Sequence, residues 1–284
     1  MESSFLTSIM LPALLAIIMF GMGLSLTLRD FVRLWQIPRP VLVGLFGQLL
    51  VLPMLAYALA LGFALTPPLA IGLMILAACP GGTMSNVISH LARANLALSV
   101  SLTAITTVVC VFTTPLIIQF ALNRFGENNA TTFSLAGTAV GLFLLTLMPV
   151  VTGIAVRRYF EDWAKRTEIF FRRFSAPFMV LMITAILIQE RDILADSFAD
   201  MFSATITLNL LAITIGMLLA AIFRLPMRDS ITLGIEVGIQ NASMAILIAV
   251  TFLQTPVYAT AAGVYGITMY IGAIALVLMA KRLP

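Results

Sequence analysis

The chain has 284 residues, 61% hydrophobic and only 10% charged, with a mean hydropathy of +1.09. A soluble domain carries roughly a quarter charged residues, so too little charge is present to solvate a globular surface and a soluble enzyme is a poor reading. Eighteen glycines and thirteen prolines fit neither collagen nor a disordered chain, and the net charge of +4 needs no nucleic-acid partner once its cations are placed.

A helix needs about 20 apolar residues to cross the hydrocarbon core. Charge-free stretches run over 3–28, 40–92, 94–123, 128–156, 174–189, 201–223 and 237–280. The second is long enough for two crossings divided at Thr66-Pro67-Pro68, and Thr255-Pro256 divides the last. The expectation is an all-α polytopic membrane protein with nine helices, at about 5–27, 39–62, 68–92, 96–123, 132–156, 174–190, 201–223, 229–253 and 257–280. The sixth is the shortest. Alternating the loops puts fourteen of the sixteen cations on one side, six of them between Arg157 and Arg173, and leaves Arg124 and Arg191 on the other. By the positive-inside rule that basic side is cytoplasmic. The C-terminus is then cytoplasmic and the N-terminus outside, in a multi-pass protein of the cell inner membrane. Met1-Glu2-Ser3-Ser4 has no basic n-region, so no cleavable signal peptide is expected. Cys79 and Cys110 fall inside spans and have neither disulfide nor metal spacing, and the sixteen methionines read as lipid-facing or packing residues.

Two spans carry breakers. In the third, Cys79-Pro80-Gly81-Gly82-Thr83-Met84-Ser85-Asn86 combines a missing donor with two permissive glycines. That is either a packing kink or a break, after which Ser85 or Asn86 would cap a half-helix running to about residue 92. Its positive dipole end would then face the bilayer centre and favour an anion. The eighth span carries Glu236, the only acidic residue within a span, in Gly234-Ile235-Glu236-Val237-Gly238-Ile239-Gln240-Asn241. A buried carboxylate needs a cation, a proton or polar partners. The alternative is a solvated Glu236 near the cytoplasmic mouth, paired with Arg228. Gln240 lies four residues on, and unwinding near Gly238 would free carbonyl oxygens. Gln48 lies mid-span in the second helix. Ser99 and Thr103 are one turn apart on the fourth, where each taken singly would bond its own backbone. Together these are hard neutral oxygens around one carboxylate, the ligand set of a hard monovalent cation rather than of a thiolate-seeking metal. His90, the one histidine, reads as an interfacial residue at the end of the third span.

The interrupted spans are five apart, so helices one to four match six to nine with the fifth as connector. An odd separation reverses orientation, which gives the inverted repeat with paired discontinuous helices typical of secondary transporters. The chain 1–284 is one transporter domain, with repeat 1 at about 1–124, the connecting helix at about 130–157 and repeat 2 at about 174–284.

Pro80-Gly81-Gly82-Thr83-Met84-Ser85-Asn86-Val87 and Glu236-Val237-Gly238-Ile239-Gln240-Asn241 resemble the motifs of the bile acid:sodium symporter family. Phe20-Gly21-Met22-Gly23-Leu24 and Ala94-Asn95-Leu96-Ala97-Leu98-Ser99 back the match. The resemblance implies a core domain and a panel domain, with two discontinuous helices crossing behind the substrate cavity and two sodium ions at the crossing. It implies a first sodium on Ser85, Asn86, Ser99, Thr103 and Glu236, and a second on Gln48, Glu236, Val237, Ile239 and Gln240, partly through carbonyl oxygens. It places Thr83, Met84 and Asn241 against the substrate. Many bacterial members have ten helices, and this chain reads as lacking the first of them. No further cofactor is expected. The partners are sodium ions, membrane lipid and an organic anion, bile-acid-like or a small carboxylate such as pantoate or a keto acid.

The function expected is sodium-coupled import by alternating access. A proton on Glu236 in place of sodium, or export of an organic anion, are the other transport readings. An intramembrane enzyme would need a nucleophile with a base, or a metal set. One histidine and one intramembrane acid supply neither, and no ring of like charge suggests a channel.

Overall fold

The computed structural model describes residues 11–126, 134–189 and 191–281. Among them there is no strand, and the chain folds into successive helices. These are α1 (Leu11–Ser25), α2 (Leu28–Gln36), α3 (Pro38–Gly62), α4 (Pro67–Ala78), α5 (Thr83–Leu91) and α6 (Leu96–Phe125), then α7 (Leu135–Tyr159), α8 (Glu161–Gln189), α9 (Arg191–Ile222), α10 (Met227–Gly238), α11 (Ala242–Phe252) and α12 (Pro256–Ala280). Among the described residues five stretches are long and apolar enough to cross a membrane: Pro38–Gly62, Leu96–Phe125, Leu135–Tyr159, Phe198–Ile222 and Pro256–Ala280. The expected third and eighth spans are each split into two shorter helices, α4 with α5 and α10 with α11. The starts of the expected first and fifth spans, residue 190 and Arg282 lie outside the described residues.

Charge misplaces some boundaries. The basic stretch that the sequence suggests is a loop, Arg157 to Arg173, is mostly helical. α8 starts at Glu161 and runs 29 residues to Gln189, so the expected sixth span forms the second part of a longer helix. Arg29 and Arg33 likewise sit in α2. A charged residue marks a solvated helix face or end as readily as a loop.

Prolines set several starts. Pro38, Pro67 and Pro256 each stand at the beginning of a helix, where the missing N–H costs nothing. Pro53 and Pro149 follow π-helical turns at Gly47–Val51 and Phe143–Leu147, where a lost donor lets the hydrogen-bond register widen. The first of these turns carries Gln48, which is buried at 2% exposure.

The interrupted helices occupy the centre. In α4 every residue from Leu69 to Ala78 is buried, and in α10 every residue from Asp229 to Gly238. α4 is apolar around its whole circumference, as such a position requires, whereas α10 carries Asp229, Ser230, Thr232 and Glu236 into it. α1 and α7 pack backbone to backbone: a Cβ on Gly23 would lie 2.2 Å from the Val150 carbonyl oxygen, and one on Gly153 2.5 Å from that of Phe20. Small residues permit this approach, which accounts for Gly23 in the first-helix motif.

Among the described residues four non-glycine positions adopt a left-handed conformation, Ala64, Arg93, Arg224 and Gln254, with φ between 47° and 54°. Each directly follows the end of a helix turn, after α3, α5, α9 and α11. The chain reverses there through backbone bonds such as Leu65 N–H to Ala60 O at 3.0 Å, Ala94 N–H to Ser89 O at 2.9 Å and Leu225 N–H to Ala220 O at 2.8 Å.

Candidate functional site: the crossing of the interrupted helices

The two breaks meet. Residues 79–82 link α4 to α5 and 239–241 link α10 to α11, and they pair as a short antiparallel bridge between Gly81 and Gln240. The Asn241 N–H donates to Pro80 O at 3.0 Å. Backbone groups released by the breaks must find partners at this depth, and the Thr114 hydroxyl supplies one by donating to Ala78 O at 2.6 Å.

One local expectation needs correction. Neither Ser85 nor Asn86 caps the half-helix after the first break. α5 begins earlier, at Thr83, with Gly82 as its cap and no side-chain acceptor. Ser85 instead turns its hydroxyl back to Gly82 O at 2.8 Å, because it lies inside the first turn rather than before it. After the second break the Asn241 side chain does cap, accepting from the Met244 N–H at 3.0 Å.

Glu236 is fully buried and is not paired with Arg228. Its Oε1 accepts from the Ser99 hydroxyl at 2.5 Å and its Oε2 from the Thr103 hydroxyl at 3.0 Å. Ser99 and Thr103, one turn apart on α6, therefore grip the two oxygens of one carboxylate. Ser99 Oγ also lies 2.8 Å from Asn86 Oδ1, and Thr103 Oγ1 lies 3.3 Å from Ser85 Oγ. These contacts join Ser85, Asn86, Ser99, Thr103 and Glu236 in one continuous cluster drawn from α5, α6 and α10.

Counting protons shows what the cluster lacks. Ser99 has one hydroxyl proton and two oxygens to satisfy, one on Asn86 and one on Glu236. The Thr103 proton is spent on Glu236, and that of Ser85 on the Gly82 carbonyl. Around the carboxylate the oxygens outnumber the hydroxyl protons, and among the described residues no cationic side chain forms an ion pair with Glu236. Buried acceptors without donors are costly.

The remaining expected residues lie close by. The Gln240 side-chain amide donates to Val237 O at 2.9 Å and Glu236 O at 3.3 Å, while its own Oε1 is buried without a partner. Both amide atoms of Gln48 are buried without a partner. A Cβ on Gly81 would stand 3.0 Å from Glu236 Oε2, 3.4 Å from Gln48 Nε2 and 3.7 Å from Ser85 Oγ. Gly81 therefore keeps open the space that Gln48, Glu236 and Ser85 face. Ile239 is buried, and its N–H closes α10 on Ile235 O at 2.8 Å.

Thr83, Met84 and Asn241 come together with Ile18, Met19 and Met269 around a small hollow at the half-helix ends. Thr83 and Met84 also line a larger cavity of about 730 Å³, which follows α5 past Asn86 and Val87 to His90 and reaches Glu168 and Phe171 on α8. His90, exposed at the end of α5, lines the far end of this cavity.

Sequence reasoning missed a second polar cluster, at the N-terminal end of α6. The Asn95 side chain donates to Asp229 Oδ1 at 2.8 Å, and its N–H donates to the Thr232 hydroxyl oxygen at 2.9 Å. The Asn95 carboxamide oxygen caps Leu98 N–H at 3.1 Å. This ties α6 to α10 below Glu236. The only signal in the sequence was Asn95 standing where an N-cap belongs.

A helical membrane protein with two interrupted helices crossing over a buried, proton-poor carboxylate site belongs to the architecture of secondary transporters. Comparison with known proteins gives the family. The profile described as the Sodium Bile acid symporter family matches residues 12–197. An uncharacterized sodium-dependent transporter of Bacillus subtilis, YocS, is 32% identical over 236 residues, covering 83% of this chain and 72% of that protein. The probable sodium/metabolite cotransporter BASS2, chloroplastic, of Oryza sativa is 29% identical over 262 residues, 92% of this chain and 61% of its own length. The human ileal sodium/bile acid cotransporter is 26% identical over 246 residues, 85% of this chain and 69% of its own. The chain belongs to the sodium bile acid symporter family, a family of sodium-dependent transporters, and is a transporter rather than an enzyme.

Proposed function

We propose that this chain imports an organic anion together with sodium by alternating access, with Glu236 at the centre of the coupling. The observation that carries the reading is the excess of oxygen over protons around that fully buried carboxylate. A sodium ion accepts lone pairs and brings no proton, so it satisfies Ser85, Asn86, Ser99, Thr103 and Glu236 together. A second ion would use Gln48 and Gln240, whose carboxamide oxygens have no partner, with Glu236 and the backbone oxygens of Val237 and Ile239. Thr83, Met84 and Asn241 would meet the substrate. α5 starts without a side-chain cap, and the Ser85 N–H already bonds Gly82 O, so the N–H groups left to receive a carboxylate are those of Thr83 and Met84.

The same reading takes the chain as nine crossings in two inverted repeats, core against panel. Matching helices support it, displaced by 160 residues: Pro38–Gly62 against Phe198–Ile222, Pro67–Ala78 against Met227–Gly238, and Leu96–Phe125 against Pro256–Ala280. The left-handed turns pair as well, Ala64 with Arg224 at the same displacement before the interrupted helices and Arg93 with Gln254, one residue further apart, after them. The cation distribution supports a cytoplasmic C-terminus in an inner membrane. The cavity from Thr83 to His90 then opens toward the cytoplasm, as an inward-facing transporter requires. The relatives' names include bile acids, metabolites and organic anions. The substrate class taken from them is an anion bearing a carboxylate, bile-acid-like or as small as pantoate or a keto acid.

A proton on Glu236 would also relieve the oxygen excess, because it turns one carboxylate oxygen into a donor. Uptake into proteoliposomes with sodium replaced by choline at fixed pH separates the two. Loss of uptake supports sodium; unchanged uptake overturns it in favour of the proton.

A further inference from the structure

The break after α10 frees one carbonyl that faces away from the oxygen site. Gly238 O accepts from the Tyr265 hydroxyl and from the Asn209 side-chain amide, each at 2.8 Å. Tyr265 lies on α12 and Asn209 on α9, and both are fully buried. They touch each other as well, Asn209 Nδ2 to Tyr265 Oη at 3.5 Å. A carbonyl has two lone pairs, and both are occupied here.

A single donor would suffice to avoid an unsatisfied group, and the first break uses only one, Thr114 on Ala78 O. The second break holds Gly238 O from two helices at once. The oxygens on either side of it belong to the proposed ion site: Glu236 O and Val237 O, touched by Gln240, precede it, and Ile239 O follows. A carbonyl pinned by two donors fixes the peptide plane, and so limits rotation of its neighbours. The pocket is closely filled, since a Cβ on Gly272 of α12 would lie only 2.2 Å from Asn209 Oδ1. Gly272 therefore lets Asn209 stand where its amide reaches Gly238.

We infer that Tyr265 and Asn209 form a clamp on Gly238 that positions the carbonyl oxygens of Val237 and Ile239 for sodium, and that Gly272 is the residue that admits it. The clamp touches neither ion nor substrate; it is a positioning device. It rests on the sodium reading above. Because it comes from α9 and α12, it also makes the ion site sensitive to how these helices pack on α10.

The test is Tyr265→Phe, Asn209→Leu, the double variant and Gly272→Ala, purified as full chains, with sodium titrated against thermal stability and against uptake. Losing one hydrogen bond corresponds to about a fivefold rise in the sodium half-saturation, and losing both to roughly twentyfold or more. At saturating sodium the Tyr265→Phe protein recovers wild-type maximal uptake, which a merely misfolded protein would not. Gly272→Ala, which displaces Asn209, resembles Asn209→Leu. A folded Tyr265→Phe protein and a folded double variant with unshifted half-saturation overturn the clamp while the sodium reading stands. A wild-type protein with no response to sodium overturns the sodium reading and the role of the clamp with it.

Discussion

Replacing Glu236 by Gln separates the electrostatic part of the proposed site from its shape. The substitution keeps the volume of a side chain that is fully buried and bonded to Ser99 and Thr103. It removes one negative charge and supplies two N–H donors to a cluster that is short of protons. Two unit charges 4 Å apart interact by about 4 kcal/mol at an effective dielectric near 20, and each 1.4 kcal/mol is tenfold. Sodium half-saturation should therefore rise by roughly a thousandfold, beyond any practical concentration. In the absence of sodium the sign reverses. The wild type holds an uncompensated carboxylate whose desolvation opposes folding, and the Gln variant does not. Its melting temperature in choline should equal or exceed that of the wild type, whereas sodium should raise only the wild type. The assay is thermal unfolding of detergent-purified protein across a sodium series at constant ionic strength, beside counterflow uptake in proteoliposomes. A Glu236→Gln protein that is still stabilised by sodium, with a midpoint within a few-fold of wild type, would refute the reasoning. So would a variant that is less stable than wild type in choline.

Ser99→Ala removes the hydroxyl between Asn86 and Glu236. A hydrogen bond to a charged group is worth about 1.5–3 kcal/mol, so sodium titration should show a loss of at least tenfold in affinity with folding retained. Gly81→Ala puts a methyl group 3.0 Å from Glu236 Oε2 and 3.4 Å from Gln48 Nε2; sodium-dependent uptake should vanish while circular dichroism shows an unchanged helix content. At the exposed start of α8, Lys165 hydrogen-bonds Glu161 and lies 2.6 Å from it, holding its carboxyl below the ordinary value. A lowered pKa stabilises above the unfolded value and fades as pH falls through the folded one. Solvent screens this pair, so Glu161→Gln should leave the unfolding midpoint at neutral and acidic pH within about 1 °C of wild type.

The breaks were legible because their cause is local. Pro80-Gly81-Gly82 removes a donor and two Cβ atoms in consecutive positions, and no membrane environment restores a regular helix there. Ser99 and Thr103 were legible as a pair because helical spacing alone puts them on one face. Their grouping with Glu236 came from the residue types and the family resemblance, not from spacing. Glu236 is 137 residues from Ser99 and 133 from Thr103, and only the return of the second interrupted helix brings it near. Gln48 could be placed mid-span, but not the π-helical turn that carries it, because a register change before Pro53 leaves no periodic trace. The cap of α5 was misread for a related reason. Ser85 is a good cap by type, yet the helix starts at the first residue after the glycines, and inside a first turn a serine bonds backward. The helical extension of α8 to Glu161 was hidden because charge reports solvation, not chain conformation.

The placement of one acid near the crossing has an electrostatic consequence under the proposed function. Each break brings together a helix C-terminus, partially negative, and a helix N-terminus, partially positive. α4 and α10 end there; α5 and α11 begin there. Glu236 sits two residues from the Gly238 end of α10, so its charge adds to the negative end of the dipole pair. Asn86 and Ser85 belong to the first turn of α5, so the oxygen cluster and the uncapped N–H groups of that helix are adjacent. Without a cation, the carboxylate opposes an anionic substrate arriving at α5. With one sodium it is neutralised, and with two the crossing is net positive. Sodium then raises the affinity for the anion and, by linkage, the anion raises the affinity for sodium by the same factor. Coupling of this kind needs no long pathway between the sites, because they occupy the two ends of one short helix turn.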